Sequence, residues 1–290
     1  MGNLKEIRTR ISSVTSTMKI TSAMKMVSAS KFKKSQDVLS KYKPFCDHYQ
    51  SSLESVIGNN DISNNKLCET RKEIFNIGLV VISSNSSMCG SFNQNVIKKA
   101  IESHYQLSVK YPKAKIHILC IGKKAVDILQ KKGLVVKHFS HLAVDKPDIL
   151  LTKKIFDELS EMFLKQELDL IHLVFNSFKN AAVQIPTALA FLPYTLNTPV
   201  RTGNLDIIIE PNSDLFIQKT LPKTLLYKIH GAILDSTTSE HGARMTAMHQ
   251  ATDNATEFLR ELTLQYNKER QAAITKEILE IVSGANALKG

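Results

Sequence analysis

From Pro222 to Gly290 the chain has no second proline, and this stretch carries the longest helical pattern in the sequence. Apolar side chains recur at Met248, Ala251, Ala255, Phe258 and Leu262 in steps of three and four, the seam of a helix lying along another helix. Beyond Leu262 the steps lengthen. Tyr266, Arg270, Ile274 and Ile278 follow at fours before Ile281, Ala285 and Leu288 resume the alternation. A shift of that kind acts as a stutter and turns the seam around the helix. At about 1.5 Å per residue, roughly sixty-five residues make a rod of about 100 Å, so the pattern predicts a helix that projects from its domain.

A helix with such a seam needs a partner, and the opposite end of the chain offers one. Leu4, Ile7, Ile11, Val14, Met18 and Thr21 repeat the three-four alternation, with a second cluster at Ile20, Met24 and Val27. Between Ser12 and Ser30, nine of nineteen positions are Ser or Thr. These are mediocre helix formers, so the segment depends on packing. The stretch from Ala243 to Ala255 is equally small-sided, and two such faces approach closely. The N- and C-terminal helices are therefore expected to pair antiparallel, with the rest of the chain folded between them.

The intervening chain changes character at Ile74. Ile77–Ser83 is a continuous apolar run suited to a buried strand, Ser91–Tyr105 reads as helix, and Lys115–Ile121 as a second strand. Gly122 opens a short helix that Gly133 ends. Leu134–Phe139 is a weaker strand, Pro147–Leu168 a helix with Pro in its first turn, and Leu170–Asn176 another buried strand. This alternation predicts a parallel sheet with helices on its faces. Ala182–Leu192 and Leu205–Glu210 add a hairpin or edge, the first weakened by Pro186 and Pro193. Gly58–Asn65 reads as a loop, and Pro44 as a break or kink in the N-terminal helix. The expected organisation is thus an N-terminal coiled-coil helix over 1–58, kinked near Pro44, an α/β domain over 74–210, and a C-terminal coiled-coil helix over 222–290.

With 290 residues and 43% hydrophobic content, the chain can bury one core plus a non-globular extension. No apolar run approaches the eighteen or so residues needed to span a bilayer. The sequence opens directly on the helix pattern, without a secretory or Arg/Ser-rich transit segment, which favours a bacterial source. Met1-Gly2 does not complete a myristoylation motif, because Glu6 stands where Ser or Thr is required. A formal charge of +11 points to an acidic partner, whether nucleic acid, an anionic membrane surface or an acidic protein. The cysteines at 46, 68, 89 and 120 match no zinc spacing and read as reduced thiols.

A parallel sheet invites a nucleotide-binding reading. The loop after the first strand, Ser83-Ser84-Asn85-Ser86-Ser87-Met88-Cys89-Gly90-Ser91, holds one glycine where the dinucleotide fingerprint needs three. Gly122-Lys123 lacks the upstream glycine of a phosphate-binding loop, since His117 stands in its place. There is no Gly-x-Ser-x-Gly elbow. His138 and His141 have no carboxylate or thiol at ligand spacing, and His241 and His249, two helical turns apart, read as surface histidines. Asp157-Glu158 and Glu277 with Glu280 belong to solvated helix faces. No catalytic residue, cofactor or metal is expected. The basic cluster of Lys19, Lys25, Lys31, Lys33, Lys34, Lys41 and Lys43 is accompanied only by Phe32 and Tyr42, which is thin for a nucleic-acid reader. Three classes remain on these grounds: a projecting rod without an active site, a basic nucleic-acid-binding coiled coil, and an α/β enzyme with degenerate motifs.

Two stretches discriminate. Leu4-Lys5-Glu6-Ile7-Arg8-Thr9-Arg10-Ile11 running on to Met24-Lys25-Met26-Val27-Ser28-Ala29-Ser30-Lys31 is one. The other is Ser239-Glu240-His241-Gly242-Ala243-Arg244-Met245, continuing through Asn267-Lys268-Glu269-Arg270-Gln271-Ala272-Ala273-Ile274-Thr275-Lys276-Glu277 and Ile281-Val282-Ser283-Gly284-Ala285. Together with the Cys89-Gly90-Ser91-Phe92-Asn93 loop, they resemble the gamma-subunit family of F-type ATP synthases across nearly the whole chain.

That resemblance implies a Rossmann-like α/β domain between the terminal helices and a non-catalytic rotor shaft. Its implied partners are the alpha and beta subunits of the catalytic hexamer, the epsilon subunit and the c-ring of the membrane sector. Its implied place is peripheral, on the cytoplasmic side of a bacterial inner membrane. By motif, it assigns Arg270, Gln271 and Thr275 to an acidic catch loop of a catalytic subunit. Glu240 and Arg244, with Lys25 and Lys31, are assigned to the ring's acidic lever, and Cys89, Gly90 and Asn93 to a base-loop contact. Ile278, Ile281, Ala285 and Leu288 are assigned to a hydrophobic bearing. The family's loop commonly carries a basic residue, Gly and Leu where this chain has Ser86, Ser87 and Met88, which removes a charged contact there.

Overall fold

The structure, a computed structural model, describes residues 2–57, 65–140, 142–195, 209–210 and 212–287. Two long helices, α1 (Gly2–Ile57) and α6 (Ser213–Ala287), bracket the smaller elements. Between them lie β1 (Asn76–Ile82), α2 (Phe92–Lys110), β2 (Lys115–Ile121), α3 (Lys123–Lys131), β3 (Val136–Ser140), α4 (Leu142–Asp145), α5 (Ile149–Leu164), β4 (Leu170–Phe178) and β5 (Gln184–Leu192). The chain divides into two compact units, residues 1–28 with 245–290, and residues 29–244.

The larger unit is built on a five-stranded sheet in the order β3-β2-β1-β4-β5. The first four strands run parallel, and β5 returns antiparallel to β4. The Asn-Ile-Gly-Leu-Val-Val-Ile sequence of β1 is buried throughout its apolar run, as a central strand covered on both faces requires. Its alternation divides the core. Ile77, Leu79 and Val81 pack with Val96, Ile97, Ala100 and Leu107 of α2 and Ala125 and Leu129 of α3. Val80 and Ile82 face the other way, among Ile155, Phe156, Leu159 and Phe163 of α5. That second face is completed by Ile217, Leu221, Leu225, Ile229 and Ile233 of α6, one helical turn apart, and by Leu53, Val56 and Ile57 of α1.

The edge strand expected within Ala182–Leu192 is present as β5, paired antiparallel with β4. Pro186 sits in β5 opposite Asn176, which an edge strand tolerates because no further strand needs its N–H. The second half of that expectation, residues 205–208, lies outside the described residues, as do most of the 58–65 loop, His141 and Leu288. The helix expected from Pro147 to Leu168 is shorter. It starts after Asp148, whose carboxylate accepts Leu150 N–H at 3.0 Å. It ends where Gln166 takes a left-handed φ of 63° and Glu167 N–H turns back to the Met162 carbonyl.

Neither proline interrupts its helix. α1 runs through Pro44 without a break, and α6 begins at Ser213 and runs through Pro222. Each proline removes one hydrogen bond, but side-chain packing around it outweighs that loss. Beside Pro44, Tyr42 Oη donates to the Tyr227 carbonyl at 3.0 Å and Lys43 Nζ lies 2.9 Å from Asp235. The rings of Phe45 and Tyr49 stand edge-on to Tyr227 with centroids 5.2 and 5.1 Å apart.

In the smaller unit the two chain ends pair antiparallel. The hydroxyls of Thr21 and Thr252 are 3.0 Å apart, and Thr256 Oγ1 is 3.5 Å from Met18 Sδ. The covered side of α1 follows Leu4, Ile7, Ile11, Val14, Met18 and Thr21 as expected, then continues through Lys25 and Ser28, while Ile20 and Val27 face outward. The seam of α6 keeps the expected Met248, Ala251, Ala255, Leu262 and Tyr266 and departs from the expected one at Phe258 and from Arg270 onward. Its covered positions are Met248, Ala251, Thr252, Ala255, Leu259, Leu262, Tyr266, Glu269 and Ala273, in steps of four and three with Ala251 beside Thr252. Phe258 is 46% exposed, and the stutter disappears. Counting hydrophobicity alone favours Phe258, whereas the approach of α1 selects the adjacent Leu259.

Candidate functional site

The features with functional bearing lie on α6 and on the loop that follows β1. Residue-for-residue pairing from Thr21 and Thr252 brings Gly2, the first residue of α1, opposite Gln271. Arg270 and Gln271 therefore stand at the end of the paired stretch, both exposed, with Thr275 one turn further on and its hydroxyl donating to the Gln271 carbonyl at 2.9 Å. From Ile274 to Asn286 every side chain is exposed. Ile274, Ile278, Leu279, Ile281 and Val282 make this the most apolar exposed stretch of helix in the unit. Ile278, Ile281 and Ala285 thus have no cover among the described residues, an exposed apolar surface of the kind that marks interaction sites. On α1, Lys25 is half-buried on the seam and Lys31 is exposed.

In the larger unit α6 is buried from Ala232 to Glu240 on all sides. Here Glu240 and Arg244 pair one turn apart, Nη1 to Oε1 at 2.6 Å, with side chains only 8% and 11% exposed. Burial pushes the Glu240 carboxyl up, and the Arg244 charge pulls it back only part of the way. Arg244 turns its other terminal nitrogen to the loop after β1. Nη2 donates to Ser86 Oγ at 2.7 Å and reaches the carbonyls of Ser86 and Ser87 at 3.4 and 3.3 Å. Sequence spacing signals the helical pair, but nothing in it signals the loop contact across more than 150 residues.

That loop is fixed from within. Ser84 N–H donates to Asn93 Oδ1 at 3.1 Å, and Asn93 Nδ2 donates to Ser84 Oγ at 2.7 Å and Cys89 Sγ at 3.2 Å. Cys89 and Asn93 are thereby buried and turned inward, while Gly90 is exposed. Burial pushes the Cys89 thiol up, against the lowering influence of Ser84 and Arg244. Met88 projects outward, 62% exposed, at a left-handed φ of 64°. A non-glycine residue holds that conformation at a cost of about 1 kcal/mol, sustained by its surroundings.

This arrangement also fills the crevice at the carboxyl ends of the strands, where open parallel sheets bind ligands between β1 and β4. Cys89, Phe92 and Ala243 pack together there. Ser239 Oγ donates to the Asn176 carbonyl of β4 at 3.3 Å, and Arg244 covers Ser86. The remaining candidates are structural. His249 pairs with Asp253 at 3.1 Å on the surface, Glu158 with Lys137 at 3.2 Å, and Glu280 with Lys276 at 3.9 Å. The four cysteines are unpaired. Among the described residues, no three His, Cys, Asp or Glu side chains gather as a metal site, and no helix is long and apolar enough to cross a membrane.

The family described as ATP synthase matches residues 3–288. The ATP synthase gamma chain of Flavobacterium johnsoniae is 45% identical to this chain over 100% of both. That of Chloroherpeton thalassium is 36% identical over 100% of this chain and 99% of its own. Among solved structures, a chain of the Euglena gracilis mitochondrial ATP synthase OSCP/F1/c-ring assembly superposes with a TM-score of 0.69 at 17% identity, over 99% of this chain and 95% of that one. A chain from the central stalk and c-ring of the Tetrahymena thermophila enzyme gives 0.58 at 22% identity, over 80% and 99%. The solved structures speak for the fold, while sequence identity along the full length decides kinship: this chain belongs to the ATP synthase gamma-chain family.

Proposed function

We propose that this chain is the central rotor shaft of an F-type ATP synthase, coupling proton-driven rotation of a membrane ring to conformational cycling of a catalytic alpha/beta hexamer. The observation that carries this is the antiparallel pair of chain ends in which α6 outruns α1 and leaves Ile274, Ile278 and Ile281 uncovered. An apolar helix end of this kind suits a hydrophobic bearing, to which Ala285 and Leu288 belong by motif. Arg270, Gln271 and Thr275 sit just below it, where an arginine fork can make and break bonds with carboxylates as the shaft turns. Lys25 and Lys31 offer charge to the ring's acidic lever, near which Glu240 and Arg244 are placed by motif. Cys89, Gly90 and Asn93 shape the base loop.

The chain supplies no catalytic group of its own in this reading, and its partners are the alpha and beta subunits, the epsilon subunit and the c-ring. Its place is peripheral, on the cytoplasmic face of a bacterial inner membrane. The nucleic-acid reading draws nothing from the family match. Reconstitution tests the proposal. Added to alpha and beta subunits, the chain should co-purify with three of each and restore ATPase. Arg270→Ala with Gln271→Ala should lower that turnover about tenfold, the loss of roughly 1.4 kcal/mol of contact. Failure to join the assembly, together with salt-dependent DNA binding, would overturn the shaft. Unchanged turnover in the double variant would remove Arg270 and Gln271 from the catch.

A further inference from the structure

Arg244 is placed by motif among residues that meet an acidic partner, yet its guanidinium is already occupied. One nitrogen is held by Glu240 at 2.6 Å. The other is spent on Ser86 Oγ at 2.7 Å and on the Ser86 and Ser87 carbonyls. The side chain is 11% exposed, so little of its charge is offered outward. Apart from Arg244, the loop is held by Ser84 Oγ, which donates to the Ser86 carbonyl at 2.7 Å, and at its two flanks. Asn85 Oδ1 accepts Lys123 N–H at 3.0 Å on one side, and Ser84, Cys89 and Asn93 bind one another on the other. The apex between them carries Met88 outward in a left-handed conformation that an L residue keeps only when its surroundings hold it.

We infer that Arg244 is a latch: it fastens the apex of the β1–α2 loop to α6, so that Ser87 and Met88 are held as part of the helix's own body. Glu240 is the positioning residue for the latch, holding one edge of the fork so that the other faces the loop. The residue pattern of this chain suits the role. Ser86 and Ser87 supply a hydroxyl and two carbonyls to a guanidinium, where an arginine at position 86 would repel it. Lysine at position 244 cannot reproduce the latch, because one ammonium group does not span Glu240 and the loop acceptors in the planar geometry of a fork. The latch rests on the shaft reading only for its consequence in turnover, since the contact itself is internal to the chain.

Amide hydrogen exchange on the free full-length chain tests it. Arg244→Gln should speed exchange at Ser86, Ser87 and Met88 at least tenfold, while amides of β1 and α5 stay within twofold of the parent. Arg244→Lys should give the same loosening and no rescue. Ser86→Ala, a change at an exposed position that leaves the core intact, should give an increase of about threefold confined to the same amides. Combined with Arg244→Gln it should add less than its own effect. Loop exchange within twofold of the parent in both Arg244→Gln and Ser86→Ala would overturn the latch. In the reconstituted ATPase, a direct acidic contact predicts that Arg244→Lys keeps turnover, whereas the latch predicts that Lys and Gln fail alike. Turnover kept by Lys together with unaltered loop exchange would return Arg244 to the partner surface.

Discussion

Asp169, immediately before β4, ties the lower edge of the sheet together, and its removal gives a measurable loss. Its carboxylate accepts the N–H groups of Phe75 and Asn76, both at 2.8 Å, and pairs with Arg71. Arg71 in turn donates to the carbonyls of Phe163 at 2.5 Å and Leu168 at 2.8 Å, and its guanidinium lies 4.8 Å from the Phe163 ring centroid. One carboxylate thus joins β1, β4 and the end of α5. Asp169→Ala would strand two backbone donors and an arginine with its side chain 17% exposed. Breaking a buried pair by removing one partner costs about 3–5 kcal/mol, and the lower end applies because water reaches part of Arg71. At about 1.4 kcal/mol per tenfold, 3 kcal/mol speeds amide exchange in β1 by more than a hundredfold, if opening of the sheet controls it. The site also sets a pH dependence. Burial pushes the Asp169 carboxyl up, but the bonds from Asn76 N–H, Arg71 and Phe75 N–H outweigh burial and hold it below its usual value. Its stabilisation is therefore complete above about pH 3.9 and is lost as the pH falls through the folded-state value, where parent and variant converge. Exchange in β1 that rises less than threefold in Asp169→Ala at neutral pH would refute this account of the sheet edge.

Two further outcomes follow from the same structure. Burial, reinforced by the charges of Arg244 and Lys31, pushes His241 down to about 4. The unfolded chain protonates it near 6.5, so stability is full above that pH and about 3 kcal/mol of it is lost between 6.5 and 4. His241→Gln should flatten the melting temperature across that window relative to the parent, and parallel curves would remove His241 as the cause. Gly122 adopts φ 103°, and a Cβ there would stand 2.2 Å from the Ser83 carbonyl oxygen. Gly122→Ala is expected to cost about 3 kcal/mol or more, read as a drop in melting temperature, and an unchanged melt would show that the β2–α3 turn yields freely.

The strands were legible where burial on both faces imposes a continuous apolar run, and Lys115–Ile121 matches β2 residue for residue. The α1 seam was legible because its three-four spacing is carried by side chains of distinct size. The α6 seam was legible at Met248, Ala251, Ala255 and Leu262 but not at Phe258, because Phe258 and Leu259 are adjacent and only the approach of α1 chooses between them. Pro44 and Pro222 follow a local rule that long-range contacts override, and those contacts, such as Lys43 with Asp235, join residues far apart in sequence. For the candidate site residues, the structure supplies the direction of each side chain, which the sequence does not carry. Arg270, Gln271 and Thr275 are exposed as a contact surface requires, whereas Cys89 and Asn93 face inward and Arg244 faces its own loop.

The most direct test of a single paired shaft is to lock the two chain ends together inside the working assembly. With Thr21→Cys and Thr252→Cys introduced where the hydroxyls are 3.0 Å apart, oxidation in the complex with alpha and beta subunits should form an internal cross-link. ATP turnover should stay within twofold of the reduced protein, because both helices move as one body. Absence of the cross-link, or its formation with turnover abolished and restored on reduction, would contradict the shaft.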